Sequence, residues 1–214
     1  MFARHRAVLL VGLSLVCLAA RWAGAEEVVA KDAQAAPESK VQIARAAEGA
    51  LLLPLPAEWE AAKPRNRIIE LEYVVPAPVG DDGKPLADPG RLTVMAAGGG
   101  VEANIARWLS QFQTAEGKPL SKDDAKVQRL KVGELDVVQI DLAGTFLYKP
   151  RGPFGPTEAK PEFRLLALIV PTPKHGSYFV KLTAPAATAK AAEKGFHAMA
   201  KGVKYDANAK PAPK

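Results

Sequence analysis

Cysteine is all but missing from this chain, with Cys17 the only one among 214 residues. It lies in an apolar stretch near the N-terminus, so the rest of the chain can form no internal disulfide and offers no thiol nucleophile or thiolate ligand. Histidine is scarce as well. Beyond His5 there are only His175, in a proline-flanked turn, and His197, in an alanine-rich segment. Neither is spaced from a partner as metal ligands are, and there is no G-x-S-x-G elbow to support a nucleophile–histidine relay. Asp81-Asp82 and Asp123-Asp124 are adjacent carboxylate pairs without an EF-hand loop around them, and they read as solvated turns. Runs of Lys or Arg interleaved with aromatics are also lacking, which argues against a nucleic-acid groove. On these absences no metal and no cofactor is expected.

The chain also lacks an apolar run long enough to span a bilayer. Its longest, Ala7 to Ala20, falls short of the roughly 20 residues that a membrane helix needs. Basic Arg4, His5 and Arg6 precede that run, and Arg21-Trp22-Ala23-Gly24-Ala25 follows it. This is the layout of a secretory signal over residues 1–25, with Ala23 and Ala25 as the small residues around the cut. Cleavage is predicted after Ala25, the alternative being retention as an anchor. Val16 is too large for the position before a lipidated cysteine, so Cys17 reads as part of the hydrophobic segment. Loss of residues 1–25 removes Arg4, Arg6 and Arg21 and lowers the net charge from +6 to +3.

After the cut, residues 26–47 are rich in Ala, Lys, Glu and Gln and read as a solvated lead-in, and residues 206–214 read as a frayed tail. The span 48–205 between them is expected to form one domain, held by an apolar core alone because no staple is available. Ile69, Leu71, Tyr73 and Val75 alternate as a half-buried strand, and Arg91 to Ala97 is expected to pair with it antiparallel. Val127–Val132 and Leu135–Tyr148 read as a hairpin closing at Gly133-Glu134, with a bend or bulge at Gly144. Glu162 to Val170, EFRLLALIV, is apolar without alternation and fits a strand buried on both faces near the middle of a sheet. Ser177 to Thr183 follows as its hairpin partner. From about Thr188 to Lys201 an alanine-rich helix turns Ala192, Phe196, Met199 and Val203 inward. The fold class is therefore α/β of the α+β type: a mostly antiparallel six- to seven-stranded sheet flanked by helices on both faces.

Gly98 to Phe112, GGGVEANIARWLSQF, is the most distinctive stretch. The spacing predicts a helix over Val101–Gln113, with Val101, Ile105, Trp108, Leu109 and Phe112 on one stripe. The three glycines let the chain turn sharply out of the preceding strand. As a phosphate cradle the segment fails, because it matches no phosphate-loop pattern and Glu102 places negative charge where the anion would sit. Asn104 and Gln111 flank the stripe and Arg107 lies further round, so Asn104 and Arg107 are candidate partner-binding residues. Their alternative role is hydrogen bonding to nearby loop backbone. The loop Lys149–Pro161, KPRGPFGPTEAKP, adds Arg151 and Phe154 as candidates, the phenyl ring either offered to solvent or folded over the sheet edge.

The segments Leu53-Pro54-Leu55-Pro56-Ala57-Glu58-Trp59, Gly98–Phe112, Ile140–Thr145 and Tyr178–Pro185 together resemble an uncharacterised group of exported bacterial proteins with the Mog1/PsbP-like α/β/α sandwich. The resemblance covers most of residues 50–205 and implies that fold. Members of the wider fold are accessory or binding proteins, among them a photosystem subunit and a partner of a small GTPase, and their contact residues do not map onto this chain. Fold alone does not assign function. The expectation is an exported, non-catalytic binding or accessory module acting on an envelope protein or other extracytoplasmic component. A hydrolase with an unrecognised carboxylate site and a mainly structural envelope protein are the alternatives.

Overall fold

In the computed structural model, residues 40–152 and 155–209 are described. The expected signal, most of the lead-in, Phe154 and the end of the tail lie outside those residues. The strands are β1 (Val41–Ala46), β2 (Leu51–Pro56), β3 (Glu60–Ala62), β4 (Leu71–Val75), β5 (Gly90–Ala96), β6 (Phe112–Gln113), β7 (Lys126–Val132), β8 (Leu135–Tyr148), β9 (Glu158–Thr172), β10 (Gly176–Pro185) and β11 (Lys204–Tyr205). Helix α1 spans Val101–Leu109 and α2 spans Ala186–Gly202. The large sheet has eight strands, in the order β3-β4-β5-β10-β9-β8-β6 with β7 also on β8, and a small sheet runs β1-β2-β11. Every pairing is antiparallel.

Side-chain parity divides the large sheet into two faces. Leu166, Leu168, Val170, Val180, Leu182, Leu92 and Val94 point toward α2 and the small sheet, whose Leu51, Leu53, Leu55, Phe196 and Met199 complete that core. Leu165, Ala167, Ile169, Phe179, Val138, Ile140 and Leu142 point the other way, onto Ile105, Trp108 and Leu109 of α1. A sheet with helices on both faces is thus present, larger than expected and joined by a second sheet. Strand β9 lies between β8 and β10 and is apolar on both sides for that reason. Helix α2 approaches β2 so closely that a Cβ at Gly195 would sit 2.6 Å from Pro56 Cγ. The two glycines Gly195 and Gly202, poor helix formers by themselves, make that approach feasible.

Three expectations are corrected. Val41–Ala46, placed in the solvated lead-in, is a strand, with Ala44 and Ala46 only 4% and 0% exposed. Alanines carry little hydrophobic signal, and only pairing with the leucine-rich β2 reveals that they are core. The helix predicted to Gln113 ends at Leu109, and Phe112–Gln113 pair with Phe146 and Thr145 instead. Stacking decides this, since the Phe112 and Phe146 rings lie 5.1 Å apart. Strand β9 is longer than predicted and runs through both Pro161 and Pro171. Pro161 is tolerated because it falls opposite the bulge between Gly144 and Phe146, where the ladder is interrupted. At that bulge a Cβ on Gly144 would lie 2.5 Å from the carbonyl oxygen of Gln113. The described part of the tail is tied down, with the Asp206 amide donating to Ala50 and Lys174 donating to the Ala207 carbonyl.

Candidate functional site

Strands β5, β10, β9 and β8 turn Arg91, Thr93, Met95, Lys181, Thr183, Phe163, Phe146 and Tyr148 to the face that carries α1. That helix stops at Leu109, and beyond its C-terminal end the face opens into a cavity of about 710 Å³. Ser110 and Gln111 form its wall on the helix side, and Arg65, Asp88, Lys149 and Lys160 stand around the rest. Among the described residues, five cationic side chains thus line the cavity with a single carboxylate, that of Asp88.

One further carboxylate lies beneath. Glu72 on β4 is 4% exposed and accepts from Arg91 Nε at 2.6 Å and Arg91 Nη2 at 2.9 Å. The backbone amide of Arg65 donates to it at 3.0 Å, and the Arg65 guanidinium lies 3.2 Å away. Burial by itself would raise the Glu72 carboxyl, but Arg91 and Arg65 outweigh it and hold the group below its ordinary range. Glu72 is therefore a fixed anion. Its oxygens are engaged by the Arg91 guanidinium and the Arg65 amide, which favour the charged form over a proton-donating one.

Lys181 is different. Its ammonium lies 5.5 Å from the Trp108 ring centroid and donates to Gln111 Oε1 at 3.4 Å, and no carboxylate among the described residues pairs with it. Burial, then the nearby Arg107 and Arg91 guanidinium groups, lower its pKa to about 8. The cavity's apolar part is a row of aromatic rings. Phe146 stacks on Phe163 at 5.9 Å and lies 6.0 Å from Tyr148, with Lys160 Nζ over Tyr148 at 5.1 Å. Such a wall can take a flat apolar group while the cations take an anion.

Of the residues picked from sequence, Arg107 is exposed on α1, stacks over Phe179 at 5.9 Å and lies near enough to Lys181 to act on its charge, without being one of the residues that line the cavity. Gln111 lines the cavity. Asn104 is corrected: it is 2% exposed, donates to the Gly98 and Gly100 carbonyls and accepts from Arg107. Gly99, at φ +89°, supplies the turn that this side chain braces. A partner cannot reach Asn104 there. Arg151 is exposed in the loop next to Gly152 on the cavity rim, and Phe154 lies outside the described residues. His175 Nδ1 lies 2.8 Å from the Tyr205 hydroxyl, and His197 contacts Gln139 and Glu193 on the α2 face. Asp124 is occupied by the Ser121 amide and hydroxyl. Among the described residues no group of three His, Cys, Asp or Glu is placed to hold a metal, and no helix is long and apolar enough to cross a membrane.

Sequence reasoning missed Arg65, Arg91, Lys160 and Lys181 as a group. Each stands alone in its own segment, and Lys181 alternates with Val180 and Leu182 as a solvent-facing strand residue would. Only the pairing of Lys181 with Thr93 brings it between Arg91 and the helix.

No protein-family description matches the chain, and no curated protein matches it. Among solved structures the chain is similar to LpqN of Mycobacterium tuberculosis, described as involved in cell envelope biogenesis, at 14% identity and TM-score 0.42, covering 77% of this chain and 90% of that one. It is also similar to PA94 of Pseudomonas aeruginosa, described as a protein of unknown function and putative regulator, at 14% identity and TM-score 0.39 over 81% and 99% of the two chains. A third is CyanoP, the PsbP protein of Synechocystis sp. PCC 6803, at 9% identity and TM-score 0.42 over 78% and 94%.

Proposed function

We propose that the chain is exported, with cleavage after Ala25, and works as a non-catalytic binding or accessory module whose ligand enters the cavity between α1 and the β5-β10-β9-β8 face. The observation that carries this reading is the Lys181 ammonium, held at a 710 Å³ cavity without a carboxylate partner among the described residues. A purely structural protein would gain stability by making that position apolar. The hydrolase alternative needs a carboxylate free to exchange a proton; Glu72 is occupied by Arg91 and Arg65, which leaves Asp88 at the exposed rim as the one lining carboxylate among the described residues for that role. The exposed Arg107 of α1 and the exposed loop residue Arg151 are assigned to the surface for an envelope protein or other extracytoplasmic component, with Phe154 kept as a candidate from the sequence alone.

Thermal unfolding of residues 26–214 with the low-molecular-weight fraction of an envelope extract tests the reading. The extract is expected to raise the Tm of the parent but not of Thr183→Trp, which puts a large ring into the cavity. An equal rise in both, or none in either, refutes the cavity as the binding site.

A further inference from the structure

The cavity's charges are not evenly committed, and the imbalance describes a ligand. Arg91 from β5 spends Nε and Nη2 on Glu72 from β4, and Arg65 leans on the same carboxylate. Arg107 from α1 donates to Asn104. Lys160 from β9 lies over the Tyr148 and Phe163 rings, 5.1 and 6.0 Å from their centroids. Lys149 and Asp88 are exposed at the rim. Lys181 from β10 also lies over a ring, 5.5 Å from the Trp108 centroid, and makes one long bond to the neutral Gln111 amide, but it differs from Lys160 in being flanked by the Arg107 and Arg91 guanidinium groups, which together with burial disfavour its charge. Arg107 and Arg91 both act on Lys181 as like charges, and of these three cations only Arg91 is paired with the buried Glu72, so an anion placed at Lys181 relieves repulsion as well as gaining a pair. Toward the β8 side the walls are Phe146, Phe163 and Tyr148, too apolar to be matched by a small hydrated ion alone.

We infer that the ligand is an organic anion whose carboxylate, phosphate or sulfonate head pairs with the Lys181 ammonium while its flat apolar body lies along the Phe146–Phe163–Tyr148 wall. The inference rests on the cavity being the binding site, and it adds the chemistry of the occupant. Burial and the arginine neighbours have already lowered the Lys181 pKa to about 8, and a bound anion reverses that by stabilising the ammonium. Arginine side chains keep their charge throughout the range concerned. Binding is therefore linked to proton uptake at Lys181, and affinity falls as pH rises through about 8.

The experiment uses residues 26–214 and two fluorescent probes, anilinonaphthalene sulfonate, which is anionic, and phenylnaphthylamine, which is neutral and of similar shape. The parent is expected to prefer the sulfonate by roughly tenfold or more, as a charge-assisted pair adds. Lys181→Met should lose that preference and keep the neutral probe. Lys181→Arg should keep the preference and lose its pH dependence, whereas the parent's affinity for the sulfonate should weaken toward tenfold per pH unit above about 8. Inorganic phosphate, added as a competitor, should displace the sulfonate only at concentrations far above the probe's own. Equal affinity for the two probes, or an unchanged preference in Lys181→Met, overturns the anion, and displacement by phosphate at the probe's own concentration overturns the organic body. Thr183→Trp separates the two claims. If it blocks both probes while Lys181→Met changes nothing, the cavity stands and the anion falls. If it blocks neither, the probes bind elsewhere and the cavity reading falls too.

Discussion

Replacing Lys181 with methionine keeps the length of the side chain, removes a partly buried charge that has no carboxylate partner, and is expected to stabilise the protein. The lysine pKa falls from 10.5 to about 8 on folding, a depression caused first by burial and then by Arg107 and Arg91. At 1.36 kcal/mol per unit, that depression costs the folded state on the order of 3 kcal/mol when the group is charged. Two contacts work the other way. The ammonium lies over Trp108 and donates to Gln111, and losing both gives back about 1 kcal/mol. The net expectation is a gain of about 2 kcal/mol, or a Tm higher by roughly 4–8 °C for a chain of this size. The sign follows from linkage. Because the folded pKa lies below the unfolded one, the penalty is complete below about pH 8 and fades as pH rises to 10.5, where the folded lysine is neutral and the unfolded one is half protonated. Urea or thermal unfolding of parent and variant at pH 7 and again near pH 10.5 measures this. The gain should be present at the lower pH and nearly gone at the higher. A variant that is less stable than the parent at pH 7, or a gain that does not change with pH, refutes the account of Lys181 as an unpaired charge.

Two further substitutions probe the opposite face of the sheet. Gly195→Ala improves helix propensity in α2, yet its Cβ would meet Pro56 Cγ at 2.6 Å, so urea unfolding should show a loss of roughly 1–3 kcal/mol. A neutral or stabilising result would mean that α2 is free to withdraw from β2. Arg164 binds Asp141 and Glu193 at 2.8–3.0 Å, and this, led by the Arg164 hydrogen bond, lowers the Glu193 carboxyl from 4.5 to about 2. The stability it contributes is present above pH 4.5 and lost as pH falls toward 2; since Glu193 is 36% exposed, solvent screening holds it to on the order of 1 kcal/mol. Glu193→Gln should flatten the stability profile across that window, and an unchanged acid profile would show that the ion pair contributes nothing.

Much of the architecture was legible because local patterns match the packing that each segment meets. EFRLLALIV reads as a doubly buried strand and is one, between β8 and β10. The Ile105, Trp108 and Leu109 stripe reads as a buried helix face and packs on Ile140, Leu142 and Phe179. The hairpin at Gly133-Glu134 and the bulge at Gly144 are also where glycine placed them. Val41–Ala46 was not legible, since its buried residues are alanines whose partners lie in β2. Nor was the end of α1, where Phe112 leaves the helical stripe to stack on Phe146.

For the candidate site, single residues were visible and their arrangement was not. Arg107 and Gln111 stand out beside an apolar stripe; Gln111 lines the cavity and Arg107 acts on Lys181 from α1. Asn104 stands out for the same reason but braces the glycine turn, a distinction set by which way its amide faces. Periodicity along the chain is a short-range quantity, so by itself it determined the central strands, the existence of both helices and the two-sided apolar sheet, but neither β1 nor the end of α1, while the lack of cysteine determined that no disulfide holds them. Electrostatics at the cavity is a property of distance in space. Residues 65, 91 and 181 came to line one cavity, with Arg107 close to Lys181, only when β4, β5, β10 and α1 were laid side by side, leaving Glu72 paired and Lys181 without a carboxylate partner among the described residues.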